Sequence, residues 1–308
     1  MEGAIAGVLF GTAAIFIRFL QDVDAFSLAF WRLTIAFVTL AVVLIVLRKP
    51  FSLDLVRDNF KGLLILSVLL GLHFIFFVSA VKNTTILNAT VLVNTAPLFS
   101  VFVSSFLFKL KPSRFAVLGL VISFLGICVI AFAETTVSGG VVLGEGSSPH
   151  LIGDLEAVLA AFVESFYLSY GRGIRSKMNI IPIMFPVYFF SALFIGALSV
   201  PMTGQILSLP SGISVILMLV GLGILPTAAA HTLYFSSLSN LKSFETATMA
   251  LLEPIGATIL GIAFFQEIPT EWFVVGSILV LAGIFFMIRN RNGSSTRAIV
   301  TKHPEALE

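Results

Sequence analysis

Long apolar stretches separated by short charged segments dominate this chain. Only 11% of its 308 residues are charged and 58% are hydrophobic, whereas a soluble globular protein carries about 25% charged residues. A helix that crosses a bilayer needs about 20 mostly apolar residues. The sequence therefore predicts an all-α integral membrane protein with ten transmembrane helices, roughly at 3–20, 25–47, 62–81, 85–108, 115–133, 152–171, 180–200, 212–237, 244–265 and 272–289.

The N-terminus and the cysteine content narrow the class further. The first apolar stretch has no basic region before it and no A-x-A-like cleavage site after it, so we expect a retained helix rather than a signal peptide. Cys128 is the only cysteine and lies inside an apolar stretch, so no disulfide framework is expected. Neither a metal nor another cofactor is predicted.

Basic residues concentrate on one side of the predicted membrane. If the ten spans alternate in direction, all of the 18 Lys and Arg except Arg18, Arg32 and Lys82 fall on the side that holds both termini. The opposite loops are acidic on balance. Because an excess of Lys and Arg marks the cytoplasmic face, we expect a multi-pass protein of the plasma membrane with both termini in the cytoplasm.

Composition also divides the chain into two halves. Residues 134–150, "ETTVSGGVVLGEGSSPH", are rich in Gly and Ser and carry no apolar helical stripe. We interpret them as an outer linker between a first five-helix repeat at 1–133 and a second at 151–290. Residues 291–308 are polar, and we predict a disordered cytoplasmic tail.

The two halves share a framework at an offset of 157 residues. "FKLKPSR" at 108–114 and "FQEIPTE" at 265–271 keep the same Phe and Pro but carry opposite charge. Glycine and proline, which fix backbone geometry, make up four of the matched pairs. These pairs are Ser79/Ser236, Asn83/Asn240, Pro97/Pro254, Pro112/Pro269, Val117/Val274, Gly119/Gly276 and Gly126/Gly283.

An odd number of spans in each half inverts the second half relative to the first. The same turn then lies on opposite faces of the bilayer, and its charge follows the positive-inside rule. Inverted repeats are characteristic of secondary transporters, whose binding sites lie near the midplane where the halves meet. The repeat therefore predicts two inverted five-helix halves around a central site.

The second half resembles the EamA branch of the drug/metabolite transporter superfamily. The resemblance lies in the run at 221–284, which has a small-residue helix, an "LEP" helix, a glutamate–proline turn and a Gly-spaced final helix. "FWRLTIAF" at 30–37 resembles the family's arginine on the second helix. Leu110 stands where Glu267 stands in the second half, so a role shared by both turns is not expected. The resemblance implies ten helices and proton-coupled or facilitated movement of small metabolites, often the export of amino acids.

Prolines and acidic residues inside the spans are the first candidates for the site. Pro97 and Pro254 each remove one backbone hydrogen bond near the middle of a span, which fits either a pair of hinges or packed kinks. Glu164 lies halfway along span 6, where a carboxylate costs roughly 3 kcal/mol, and Tyr167 is one turn away. Glu253 is equally deep. Each carboxylate can serve binding, proton coupling or packing.

Histidine, arginine and amide side chains complete the set. His73 and His231 lie in equivalent spans, with Tyr234 one turn after His231, and they could carry a proton or bind a carboxylate. The structural alternative is a neutral packing histidine. The remaining candidates are Arg32 and Trp31, which could hold an anion or lie at the interface, and Thr90 and Asn94, which could bind a ligand or a neighbouring helix.

These observations favour a secondary transporter over two alternatives. No Walker A pattern is present, and no G-x-S-x-G, H-E-x-x-H or C-x-x-C motif supports a polytopic membrane enzyme. A passive channel-like facilitator remains open. The partners that we expect are a small-molecule substrate, the lipid bilayer and protons as the coupling ion, with no nucleic acid. The sequence leaves substrate identity and oligomeric state open.

Overall fold

The computed structural model of the protein is built from helices alone in the part of the chain that it describes. That part comprises residues 1–48, 51, 53–84, 86–107, 109, 112–137, 151–204, 207–208, 210–265 and 271–289. The all-helical prediction is confirmed. Residues 134–137 of the predicted linker continue a helix, and the rest of that linker, 138–150, lies outside the described residues, as does the predicted tail.

Among the described residues, eight helices belong to the first half and seven to the second. The first set is α1 Glu2–Phe10, α2 Thr12–Arg18, α3 Ala25–Val46, α4 Leu53–Asp58, α5 Phe60–Asn83, α6 Ile86–Val93, α7 Ala96–Phe106 and α8 Arg114–Val137. The second set is α9 Leu151–Arg175, α10 Ile180–Thr203, α11 Ile213–Leu222, α12 Ala230–Ser237, α13 Ser243–Met249, α14 Glu253–Phe265 and α15 Glu271–Arg289. A π-helical turn at Gly223–Ala229 joins α11 to α12, and a 3₁₀ turn at Ala250–Leu252 joins α13 to α14.

Several predicted spans consist of two helical segments rather than one helix. The fourth span breaks at Asn94 and Thr95 and restarts as α7, whose first turn contains Pro97. Proline suits that position because the first turn of a helix needs no N–H donor there. Pro254 is likewise the second residue of α14, which follows a 3₁₀ turn. At both prolines the regular α-helical hydrogen bonding is interrupted locally, while the residues that flank the interruption keep right-handed helical backbone angles.

Five stretches of the described chain are long and apolar enough to cross a membrane by length and composition. They are Ala25–Val46, Phe60–Asn83, Ala89–Phe106, Ile180–Thr203 and Ile213–Ser237. Glu2–Ile17, Arg114–Ile130 and Glu271–Met287 are shorter apolar helices. Together with α9 and with α13–α14, these elements occupy the ten predicted spans.

Helices α8 and α15 cross in a way that shows how the halves are related. A Cβ at Gly119 would lie 2.5 Å from the carbonyl oxygen of Gly283, and a Cβ at Gly126 would lie 2.7 Å from that of Gly276. Each glycine thus meets the repeat equivalent of the other glycine. Ser123 lies midway between Gly119 and Gly126, and its hydroxyl donates to the carbonyl of Val280 at 3.2 Å. Val280 is the residue that corresponds to Ser123 at the 157-residue offset. The two helices therefore run antiparallel across a pseudo-two-fold axis, as inverted repeats require.

The first helix of each half packs into the other half. Helix α1 contacts α12 and α14, and α9 contacts α5, α6 and α7. A side chain at Gly7 of α1 would collide with the backbone of Met249, and one at Gly11, just after α1, with that of Ala257. The glycines therefore permit close helix contact. This exchange brings residues of both halves together in the centre of the bundle.

The inverted arrangement makes a topological prediction at one pair of equivalent positions. Arg114 and Glu271 are separated by the repeat offset, and both are exposed at the start of a helix. In a chain with Cys128→Ala, we expect Arg114→Cys to react with a membrane-impermeant maleimide from the cytoplasmic side and Glu271→Cys from the outer side. Labelling of both cysteines from the same side would contradict the inversion.

Candidate functional site

A small cavity lies in the middle of the bundle, where the interrupted helices meet. Its volume is about 40 Å³, and seven of the ten spans contribute to its wall. That space holds a few water molecules. Its polar lining residues are Arg32, His73, Asn94, Glu164, His231 and Glu253. The sequence had nominated all six of them as site candidates.

Arg32 is buried and hydrogen-bonded, but one terminal nitrogen of its guanidinium lacks a partner among the described residues. The side chain is 1% exposed, and its Nε donates to the hydroxyl of Thr227 at 3.0 Å. The guanidinium carbon lies 4.0 Å from the centre of the Phe74 ring, where the face of the ring attracts a cation. Among the described residues, Nη1 has no hydrogen-bond partner. A buried donor without a partner costs free energy unless a ligand or a water molecule accepts its hydrogen bond.

Pro226 explains why the hydroxyl of Thr227 is in place to bind Arg32. A proline has no N–H to give to the carbonyl four residues earlier, which here belongs to Leu222. The chain forms the π-helical turn at this point, and the Thr227 hydroxyl donates to the Leu222 carbonyl at 2.7 Å instead. Its oxygen can then accept from Arg32, while Tyr188 donates to the Thr227 carbonyl at 3.0 Å. π-helical turns of this kind are frequent at functional sites.

Glu164 faces the cavity from α9, and its two carboxylate oxygens differ in their contacts. Its Oε1 accepts from the hydroxyl of Tyr234 at 2.9 Å, and its Oε2 lies 3.9 Å from Nδ1 of His73. The same Nδ1 lies 3.1 Å from the carbonyl of Ala160. Because a carbonyl only accepts, Nδ1 of His73 carries a proton. Tyr234 therefore bonds Glu164 directly, whereas His73 only lies near it, and Oε2 is left available to a ligand or a proton.

The second carboxylate comes from the other broken helix. Glu253 begins α14, where a negative charge is favourable at the positive end of the helix dipole. Its Oε2 lies 3.5 Å from Nδ2 of Asn94, which also donates to the carbonyl of Thr90 at 2.9 Å. Asn94 is thus placed by the break in the fourth span. The two interruptions bring a carboxylate and an amide to the same wall of the cavity.

His231 is the second polar group with an unused atom. It packs edge-on against Phe10 and Phe74, and its ring centre lies 6.0 Å from that of His73. Its Nδ1 has no hydrogen-bond partner among the described residues. The cavity therefore has two buried polar atoms, on Arg32 and on His231, that the described residues leave unsatisfied.

Apart from Pro97, the other predicted residues lie outside the cavity lining. The hydroxyl of Tyr167 points to the sulfur of Met184 at 3.6 Å, and Trp31 donates to the carbonyl of Ser208 at 2.9 Å. Tyr234 supports Glu164 from behind, and Thr90 contributes a backbone carbonyl to Asn94. Pro97 lines the cavity, whereas Pro254 does not.

Thr227, Phe74 and Pro226 were missed by the sequence reasoning. A Pro–Thr pair inside an apolar span was the available signal, since the proline frees a carbonyl and the hydroxyl can satisfy it. Phe74 gave no signal, because 31 phenylalanines are present. Within the described part of the chain, no three His, Cys, Asp or Glu side chains converge in a way that could hold a metal ion.

The two ends of the bundle differ in how the halves are joined. Where α5 meets the start of α9, Glu156 accepts from Ser79 at 2.7 Å and from Asn83 at 2.9 Å. At the opposite end their repeat equivalents are bonded differently, because Ser236 accepts from Arg175 at 3.4 Å and Asn240 donates to Ser239. As far as the described residues show, the repeat-equivalent positions carry no such carboxylate clamp, and the clamp lies at the end that the charge pattern predicts to be the outer one.

Asp24 ties a loop to the same end of the bundle. It caps α3 by accepting from the backbone of Ser27 at 2.9 Å and from the hydroxyl of Ser208 at 3.1 Å. Partial burial raises the pKa of this carboxyl, but the hydrogen bonds from Ser27 and Ser208 outweigh that effect and leave the pKa below its usual value. The carboxylate form therefore holds the two halves together at this end.

Comparisons with known proteins agree with this architecture. Residues 3–132 and 151–289 each match the model of the EamA-like transporter family. An "Uncharacterized transporter" of Archaeoglobus fulgidus is 25% identical over 292 residues, which is 92% of this chain and 95% of that protein. The "Uncharacterized transporter YdfC" of Bacillus subtilis is 31% identical over 208 residues, which is 64% of this chain and 61% of that protein.

A solved structure shares the fold. It is described only as "Crystal structure of protein", is 20% identical, and superposes with a TM-score of 0.77 over 94% of this chain and 95% of that one. At this identity the likeness concerns the fold alone. With both halves matched by the family model, the chain belongs to the EamA-like transporter family and is a multi-pass membrane transporter.

Proposed function

We propose that the protein is a secondary transporter that exports amino acids or related small metabolites by alternating access around the central cavity. The observation that carries this proposal is the unpartnered Nη1 of Arg32. A guanidinium that is buried, fixed by Thr227 and Phe74, and left with an unpartnered Nη1 suits a carboxylate group of a ligand.

The opposite charge in the cavity supports a substrate that also carries an amine. Glu164 and Glu253 line the same space as Arg32, and Oε2 of Glu164 is not occupied by the Tyr234 hydroxyl. A carboxylate in this position can accept a charge-assisted hydrogen bond from an ammonium group. A compound with a carboxylate at one end and an ammonium at the other matches both sets of groups.

The fold supports alternating access. Broken helices at a midplane site and inverted halves are the features on which rocking-type transporters depend. The cavity is too small for a metabolite in the arrangement seen, so binding requires the two halves to part. The breaks before Pro97 and Pro254 are the positions at which we expect the helices to hinge.

The first test replaces Arg32 and compares paired ligands. Purified protein in vesicles is screened with neutral and aromatic amino acids and with the matching amines that lack a carboxylate. We expect Arg32→Gln to weaken binding of the amino acid by about 10- to 150-fold, the loss of one hydrogen bond to a charged group. Binding of the amine should change little.

The control for this test is Arg114→Gln, which removes an exposed arginine remote from the cavity. Arg32→Lys keeps the charge but not the two-pronged geometry, so it should restore only part of the affinity. Equal losses for the amino acid and the amine, with folded protein recovered, would show that Arg32 does not bind a carboxylate.

The second test concerns Thr227 as a positioning residue. Thr227→Val keeps the shape but removes the hydroxyl that holds Arg32 and caps Leu222. We expect the KM for the carboxylate substrate to rise about tenfold, in the range of one hydrogen bond to a charged group, while kcat changes less. Thr227→Ser should recover the KM. A loss of folded protein with an unchanged KM would assign Thr227 a packing role only.

The third test separates two roles of Glu164. If Glu164 carries the coupling proton, Glu164→Gln should abolish the pH dependence of transport and leave binding intact. If it binds the substrate ammonium, the same change should weaken binding by about 10- to 150-fold. Flux that is independent of pH in the unaltered protein would favour a passive facilitator. A mutant that matches the unaltered protein in both measurements would remove Glu164 from the site.

A further inference from the structure

A second and much larger groove lies at the basic end of the bundle. It has a volume of about 870 Å³ and is formed by the start of α5 with the residues before it and by the end of α9. The first of these elements belongs to the first half of the chain and the second belongs to the second half. The groove therefore lies on the seam between the halves, at a distance from the central cavity.

Three cations line this groove. Arg57 and Lys61 come from the first half and Lys177 from the second, and Asp58 is the single acidic residue of the lining. All three cations are exposed. Within the described part of the chain, none of them forms an ion pair with a carboxylate. The lining of the groove thus has more positive than negative charges, and no described carboxylate is paired with them.

The groove lies at the depth of lipid headgroups. Helices α5 and α9 have 24 and 25 residues, so each is about 36–38 Å long and extends beyond the hydrocarbon core of about 30 Å. Lys61 lies at the first turn of α5 and Lys177 just after the end of α9. The cations therefore lie where phosphate groups of a bilayer are found.

The floor of the groove suits the part of a lipid next to its phosphate. Tyr170 and Ile174 line it on α9, and a tyrosine at this level offers both an apolar ring and a hydroxyl to the interface. A side chain at Gly62 would meet Ile174 at 2.8 Å and the Tyr170 hydroxyl at 3.4 Å. The glycine therefore keeps this floor uncovered.

We propose that the groove binds the phosphate of an anionic membrane lipid, which bridges Lys61 and Lys177 across the two halves. Charge-assisted bonds from lysine and arginine to phosphate are among the stronger protein hydrogen bonds, and basic pockets between membrane helices recognise such headgroups. Because α5 and α9 belong to different halves, a bridging lipid stabilises the arrangement in which their basic ends are close together.

The test measures binding to the full-length protein purified in detergent. Phosphatidylglycerol, phosphatidylcholine and inorganic phosphate are titrated separately, and the rise in thermal unfolding temperature is recorded. We expect phosphatidylglycerol alone to raise it. The double variant Lys61→Gln with Lys177→Gln should need about 30-fold more of this lipid for half-saturation, since each basic residue near an anionic surface contributes about fivefold.

A matched control separates the groove from the general charge of this face. Lys109→Gln with Arg114→Gln removes the same two charges from exposed residues that do not line the groove, and it should bind the lipid like the unaltered protein. Equal weakening in both double variants would overturn the proposal, as would no weakening in either. A shift produced equally by inorganic phosphate would show a soluble anion site instead of a lipid site. No transport assay is involved, so the result is independent of the proposed function.

Discussion

The burial of one guanidinium in the middle of a membrane protein constrains the rest of the structure. An arginine at the centre of a span costs about 2.5–3.5 kcal/mol on insertion scales, and Arg32 is almost completely buried. Its cost is offset by the Thr227 hydroxyl, the Phe74 ring and the carboxylates that line the same cavity. The polar groups of several helices are therefore arranged around a single charge.

Interrupted helices supply these groups at the required depth. A continuous helix satisfies its own carbonyls and offers only side chains to a cavity, because no water is available inside a bilayer. The interruptions at Pro97, Pro226 and Pro254 lie beside Asn94, Thr227 and Glu253, whose side chains take part in the cavity or its support. Since the halves are inverted repeats, the breaks before Pro97 and Pro254 approach the cavity from opposite directions.

The fold was largely predictable from the sequence, whereas the geometry of the site was only partly so. Apolar length gave the ten spans, and the Gly and Pro pairs at a constant offset gave the inverted repeat, because both features are written along the chain. The sequence also nominated the polar residues that line the cavity, since deep charges are rare enough to be noticed. It placed Trp31 and Tyr167 among them, although the structure directs these side chains elsewhere.

The features of the site that the sequence did not predict depend on the conformation of the backbone. The π-helical turn allows Thr227, which looks in the sequence like an ordinary packing residue, to bind Arg32. The periodicity of apolar residues does not predict such a turn. The glycine contacts between α8 and α15 are clear in the sequence, but their crossing on the pseudo-two-fold axis is visible only in three dimensions.

We propose that the cavity at Arg32 opens to each side of the membrane in turn, and its accessibility can be measured directly. Ala96 lines the cavity and is small, so Ala96→Cys in a chain with Cys128→Ala introduces a thiol there with little change in volume. With an impermeant thiol reagent applied to oriented vesicles from either side, the account predicts modification from both sides and protection by the transported substrate. Modification from neither side, or from both sides at a rate that no transported substrate alters, would contradict it.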